Sequence, residues 1–174
     1  MIILGLDIST SCTGICLLSD KDILVLDYIV LNKQKTMWLK ADSVRNKLLE
    51  LSQQFGKIDN LAIEEPLMGF QKGMSSAATI TTLMKFNGIV SLISRDIFKV
   101  DPTYISASHA RKLCGIKLQR TSVAGIHGKE QVFKHMSEND LKHIQWSTKK
   151  NGKPVDWSRD ATDAYVTARA ASLT

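Results

Sequence analysis

Apolar residues come in three close-set runs over the first 31 positions, written IILGLDIS, GICLLS and DILVLDYIVL. β-Branched and aliphatic residues fill each run and short polar stretches separate them, which predicts a three-stranded meander. The period then changes. Over residues 38–55, Leu39, Val44, Leu48, Leu49 and Leu51 recur at helical spacing, and Gly56 stands where the helix should end. A short apolar run follows in NLAIEEP, closed by two glutamates and Pro66, so a central strand should carry Glu64 and Glu65 at its C-terminal end. Alternation sends those two side chains to opposite faces, and the pattern alone does not choose between them.

Residues 75–94 hold Ala77, Ile80, Leu83, Met84, Ile89, Val90, Leu92 and Ile93, a long apolar helix interrupted by Gly88. IFKV and TYISA predict a last strand, and SHARKLCG a short helix capped by Ser108 and ended by Gly115. A further helix should begin near Lys129. Residues 138–158 show no period and read as a basic loop around Trp146 and Trp157. The chain closes on SRDATDAYVTARAASL, an alanine-rich helix with Ser158 at its N-cap. Strands joined by helical crossovers give an α/β fold on a mixed sheet, whose strand order this pattern leaves open.

Composition narrows the class. The 174 residues, 44% of them hydrophobic, fit a single domain over 1–174 with a core that needs neither disulfides nor a structural metal. Cys12, Cys16 and Cys114 form no CxxC pair and are expected as reduced thiols of a cytoplasmic protein. Met1 is expected to start the mature fold, and no apolar stretch is expected to reach the length of a membrane span. The net charge of +6 favours a polyanionic partner, and the lysines and arginines from Arg111 to Lys153 concentrate it in the second half.

Four acids interrupt apolar patterns. Asp7 sits between Leu6 and Ile8 in a strand, where a desolvated carboxylate must be paired, protonated or bound to a cation. Asp160 and Asp163, three residues apart, project from one face of the last helix and repel each other unless a cation lies between them. With Glu64 they form a set of oxygen donors on separate elements. A hard divalent cation such as Mg²⁺ takes such ligands, and two ions roughly 3.5–4 Å apart promote phosphodiester cleavage without a histidine.

The segments IILGLDISTSCTG, LAIEEPLM, HGKEQV and RDATDAYVTA resemble, in order and spacing, the RuvC-type Holliday junction resolvases of the ribonuclease H and retroviral integrase superfamily. The resemblance implies a ribonuclease H-like fold with a five-stranded mixed sheet. It also implies a homodimeric endonuclease, dependent on Mg²⁺ with Mn²⁺ as substitute, that nicks two strands of four-way DNA junctions symmetrically and has no membrane role. It places Asp7, Glu64, Asp160 and Asp163 on the metal and selects Glu64 over Glu65. Lys129 then approaches the scissile phosphate; apart from the resemblance it reads equally well as a surface lysine. The long helix over 75–94 is a candidate dimer interface, or is buried on its own sheet.

The chain departs from the family in three places. Asp7 is followed by Ile8, Ser9 and Thr10 where relatives carry Pro-Gly-Ser. Leu67 stands where bacterial members have a base-contacting aromatic, Phe70 reads equally as its substitute or as a core residue, and the basic tryptophan segment is longer than expected. These differences fit a diverged member, such as one carried by a phage into a bacterial cell. Two other readings compete. An actin-like phosphotransferase fragment shares the opening Gly-x-Asp motif but would need a second phosphate motif, and a non-catalytic junction-binding protein would keep the fold without the reaction.

Overall fold

The computed structural model describes residues 1–66 and 76–174. Leu67 and Phe70, as well as Ser75 at the head of the predicted long helix, lie outside the described residues. A five-stranded sheet runs in the order β3-β2-β1-β4-β5. The meander supplies β1 (Ile2–Ile8), β2 (Cys12–Ser19) and β3 (Asp22–Val30), paired antiparallel. β4 (Asn60–Glu64) lies parallel to β1, and β5 (Pro102–Ile105) parallel to β4. Parallel neighbours need long crossovers. These are α1 (Met37–Phe55), between β3 and β4, and α2 (Ala77–Phe98), between β4 and β5.

The ends of the crossovers follow local chemistry. Thr36 Oγ1 accepts a hydrogen bond from Leu39 N at 3.2 Å to start α1, and Gly56, at φ 74°, supplies the positive φ that ends it. Ser76 Oγ accepts from Thr79 N at 3.2 Å to start α2. That helix runs on to Phe98, so IFKV does not form the start of a strand as its β-branched residues predicted. α2 stops at Lys99, which takes the left-handed conformation at φ 60°.

By length and composition α2 is also apolar enough to cross a bilayer, against the expectation that no stretch would be. One of its faces is sealed within the protein: Phe86, Val90, Ile93 and Phe98 join Val44, Leu48 and Leu51 of α1 on Leu4, Leu6, Ile15, Leu17, Leu61 and Ile63 of the sheet.

The opposite face of the sheet is covered by α6 (Ser158–Ala171), flanked by α3 (Ala107–Leu113) and α5 (Gly128–Glu138). The short α4 (Thr121–Ala124) precedes α5. Here the sheet presents small residues. A Cβ on Gly5 would lie 2.5 Å from Ala164 O and 2.6 Å from Ala168 Cβ, and one on Gly14 would run into the Asp160 carbonyl. Two glycines and an alanine-rich helix therefore bring α6 down to backbone contact with β1 and β2.

Two predicted caps move. Ser106, not Ser108, caps α3, because its Oγ accepts from His109 N at 3.4 Å. Ser158 is not the N-cap of α6: it lies inside the helix and is fully buried, and Trp157 holds the cap position with no side-chain bond.

Candidate active site

Alternation along the strands decides which acids meet. Ile3, on the α6 face of β1, is followed two and four residues later by Gly5 and Asp7. Asp7 pairs across the ladder with Gly14, the residue that lets the first turn of α6 approach. On β4 the same face carries Ala62 and therefore Glu64, one step beyond the Leu6–Ile63 pair. Glu65 falls on the other face and is exposed. Asp160 and Asp163 point down from α6 onto this end of the sheet. Asp7 and Asp160 are 9% exposed and Asp163 5%, so all three need a countercharge.

Lys129 supplies it. From the first turn of α5 its Nζ lies 2.6 Å from Asp160 Oδ1, 3.2 Å from Asp163 Oδ2 and 3.4 Å from Asp7 Oδ2. One ammonium thus joins three carboxylates from two elements. Glu64 joins the group through charge: burial first, then the charges of Asp7 and Asp163, hold its carboxyl well above the ordinary range. Burial pushes Asp7 up to about 7, although Lys129 pulls the other way. Asp163 is raised by burial as well, again opposed by Lys129. Burial works against the charged form of Lys129, but Asp7, Asp163 and Asp160 outweigh it and raise its pKa.

The structure brings together every site residue picked out of the sequence. It adds three. Arg111, on α3, acts as a second cation on Glu64 and Asp163. The buried Cys12 thiol lies against Asp160; its pKa is raised by burial and then by that aspartate, so it stays protonated. Arg159, beside Asp160, forms a two-pronged ion pair with Glu130, beside Lys129, at 2.8 and 3.0 Å, tying the start of α6 to the start of α5. For Arg159 the only sequence signal was position, next to a candidate acid.

The turn after β1 also has an explanation. Ser9 Oγ accepts from Cys12 N at 3.1 Å and donates to Cys12 O at 2.7 Å, closing the connection with its own side chain. Lys40 Nζ donates to Thr10 O, anchoring the same turn to α1. A serine side chain, not a proline or a glycine, closes this turn.

As a donor set the acids fit a hard divalent cation, because they offer carboxylate oxygen with no histidine among them. As placed, the oxygens of Asp7, Asp160 and Asp163 turn on the Lys129 ammonium. Among the described residues no group of three or more His, Cys, Asp or Glu side chains closes around a point that would hold an ion.

No protein-family model matches the chain, and no curated protein matches it. Solved structures do. RuvC of T. thermophilus in complex with a Holliday junction substrate superposes with a TM-score of 0.69 at 12% identity, covering 99% of this chain and 94% of that one. Thermus thermophilus RuvC on its own gives 0.63 at 15% identity, with 99% and 94% covered. The yeast mitochondrial Holliday junction resolvase gives 0.54 at 13% identity, with 98% and 77% covered. The chain has the ribonuclease H-like fold of these resolvases across nearly its whole length.

Proposed function

We propose that this protein is a divalent-metal-dependent endonuclease that resolves branched DNA, four-way junctions above all, by nicking strands in pairs. The observation that carries the reading is the gathering of Asp7, Glu64, Asp160 and Asp163 at one end of the sheet, on a fold shared with proteins whose names give that activity. Asp7, Glu64, Asp160 and Asp163 would hold Mg²⁺ or Mn²⁺. When bound, such ions supply Lewis acidity to a phosphodiester and to the water that attacks it.

The protein's own groups then have separate tasks. The rigid seat of α6 on Gly5 and Gly14 fixes the spacing of the acids before substrate arrives. Lys129, on a side chain that is nearly half exposed, is positioned to turn from the carboxylates to a phosphate oxygen of the bound strand. Arg111 adds positive charge on the Glu64 side. Substrate is held by backbone charge, consistent with a net charge of +6.

Paired nicking needs two sites, so we place a homodimer on the junction. The outward side of α2, with Met84 41% and Leu92 57% exposed, is the face we assign to that contact. The reading includes a cytoplasmic, DNA-associated location in keeping with free cysteines.

A panel of labelled four-way junction, fork, flap, duplex and RNA–DNA hybrid substrates with Mg²⁺ tests the proposal. Symmetric nicks in the junction, and an Asp7→Asn variant that binds the junction without cutting it, are expected. Cleavage surviving in Asp7→Asn removes the carboxylate cluster from the reaction. Junction binding with no nicking by the unaltered protein in Mg²⁺ or Mn²⁺ replaces the nuclease with a junction-binding protein.

A further inference from the structure

Residues 142–157 carry four lysines against one aspartate and have no hydrophobic period, the composition of a solvated loop. The structure gives them a defined shape. Thr148 and Pro154 form an antiparallel bridge, Lys149 N donates to Lys153 O at 2.7 Å, and Val155 N donates to Ser147 O at 2.9 Å. Gly152 supplies the positive φ, 76°, at the turn. The result is a short hairpin over 147–155 whose residues from 147 to 153 are all exposed.

The hairpin is fastened to the active site. The Arg159 guanidinium donates to Pro154 O at 3.2 Å and Val155 O at 2.9 Å while it pairs with Glu130. It also lies 4.5 Å above the Phe133 ring, which in turn packs on Trp146 at 5.3 Å. One side chain therefore links the hairpin, the helix that carries Lys129 and the helix that carries Asp160. Beside it runs a groove of about 300 Å³ lined by His127, Lys129, Glu130, Asp156, Trp157, Arg159 and Asp160. The chain leaves the hairpin directly into this groove at Asp156 and Trp157, and Asp160 of the carboxylate cluster lies in the lining as well.

Charge decides what fits there. Each acid of the groove already has a cation: Glu130 has Arg159, Asp156 has Lys149 at 2.6 Å, and Asp160 has Lys129. Among the described residues neither Lys150 nor Lys153 meets an acid, so the exposed hairpin tip presents two uncompensated ammonium groups on the segment that runs into the groove at Asp156. We propose that the 147–155 hairpin is a DNA-backbone clamp, in which Lys150 and Lys153 hold phosphates of the strand that leaves the carboxylate cluster along the Trp157 groove. The proposal rests on the nuclease reading and assigns it a substrate-holding element outside the acids.

The test is equilibrium binding of a fluorescein-labelled four-way junction, with Ca²⁺ in place of Mg²⁺, over KCl from about 50 to 300 mM, where each phosphate contact adds about 0.9 to the slope of log K against log salt. The K150Q/K153Q protein should melt like the unaltered protein, bind about tenfold or more weakly, and lose roughly two units of slope. A charge-matched K21Q/K57Q protein, altered at the far end of the sheet, should keep the original slope. Equal losses in the two double variants would show only a general charge effect and overturn the clamp, as would unchanged binding in K150Q/K153Q. Failure of the unaltered protein to bind any junction would instead overturn the nuclease reading, and the clamp with it.

Discussion

The two faces of the sheet are built from opposite materials. On the α1–α2 face, Leu4, Leu6, Ile15, Leu17, Leu61 and Ile63 meet Leu48, Leu51, Phe86 and Val90, large side chains that fill space and bring no charge. On the α6 face, Gly5, Gly14 and Ala62 meet Ala161, Ala164 and Ala168, and the same surface ends in Asp7, Glu64, Asp160 and Asp163. The first face yields stability through burial. The second gives up apolar area for close approach, and close approach is what sets two helical carboxylates over a strand carboxylate. The α1–α2 face therefore carries stability alone, whereas the α6 face, which has an apolar cluster of its own, carries stability and chemistry together.

That separation breaks first at Gly14. A Gly14→Ala change puts a methyl into the Asp160 carbonyl and should cost about 3 kcal/mol or more in urea unfolding, with cleavage lost even in the folded fraction. Leu48→Ala, on the other face, should cost about 2–5 kcal/mol and leave cleavage per folded molecule unchanged. If Leu48→Ala abolishes cleavage at a temperature where it remains folded, the two faces are not independent.

The pH response should come from the α6 face. In EDTA, Asp7, Glu64 and Asp163 all have folded-state pKa values above those of the unfolded chain, Asp7 at about 7. Between the unfolded value and that one the folded state binds more protons, so stability is fullest in acid and is lost as pH rises through about 7. Melting temperatures from about pH 5 to 8 should fall in EDTA, and the fall should shrink in Asp7→Asn.

A smaller effect separates true caps from buried hydroxyls. Among the described residues the buried Ser158 Oγ meets no hydrogen-bond partner, so Ser158→Ala should leave stability unchanged or slightly raised. A loss of about 1 kcal/mol in chemical unfolding would instead mark the N-cap that the sequence pattern predicted.

These residues also show what was legible in the chain. Asp7, Asp160 and Asp163 stood out because each breaks an apolar pattern; Glu64 was separated from Glu65 only by the family resemblance, and alternation separates them once Ala62 is seen on the α6 face. Lys129 was ambiguous because its meaning lies in a contact with Asp7 across 122 positions, and no local pattern carries that. Arg159 and the 147–155 hairpin were illegible for the same reason: Gly152, a backbone bridge and a distant glutamate shape them, not a period. The end of α2 was misread because Ile97, Phe98 and Val100 are strand-forming residues, and it is the left-handed Lys99 that breaks the helix. Where two serines stood near one helix start, only geometry distinguished Ser106 from Ser108.

The central claim is that Asp7, Asp160 and Asp163 share the Lys129 ammonium, with Glu64 beside them, in a site that we propose exchanges this cation for a divalent metal. Thermal melting of the unaltered protein and Lys129→Met, each in EDTA and in millimolar Mn²⁺, tests it directly. The account predicts that Lys129→Met melts roughly 3–6 °C lower in EDTA. It further predicts that Mn²⁺ raises both melting temperatures and closes most of the gap. Melting temperatures that ignore Mn²⁺ in both proteins, or a Lys129→Met protein as stable as the original in EDTA, would contradict it.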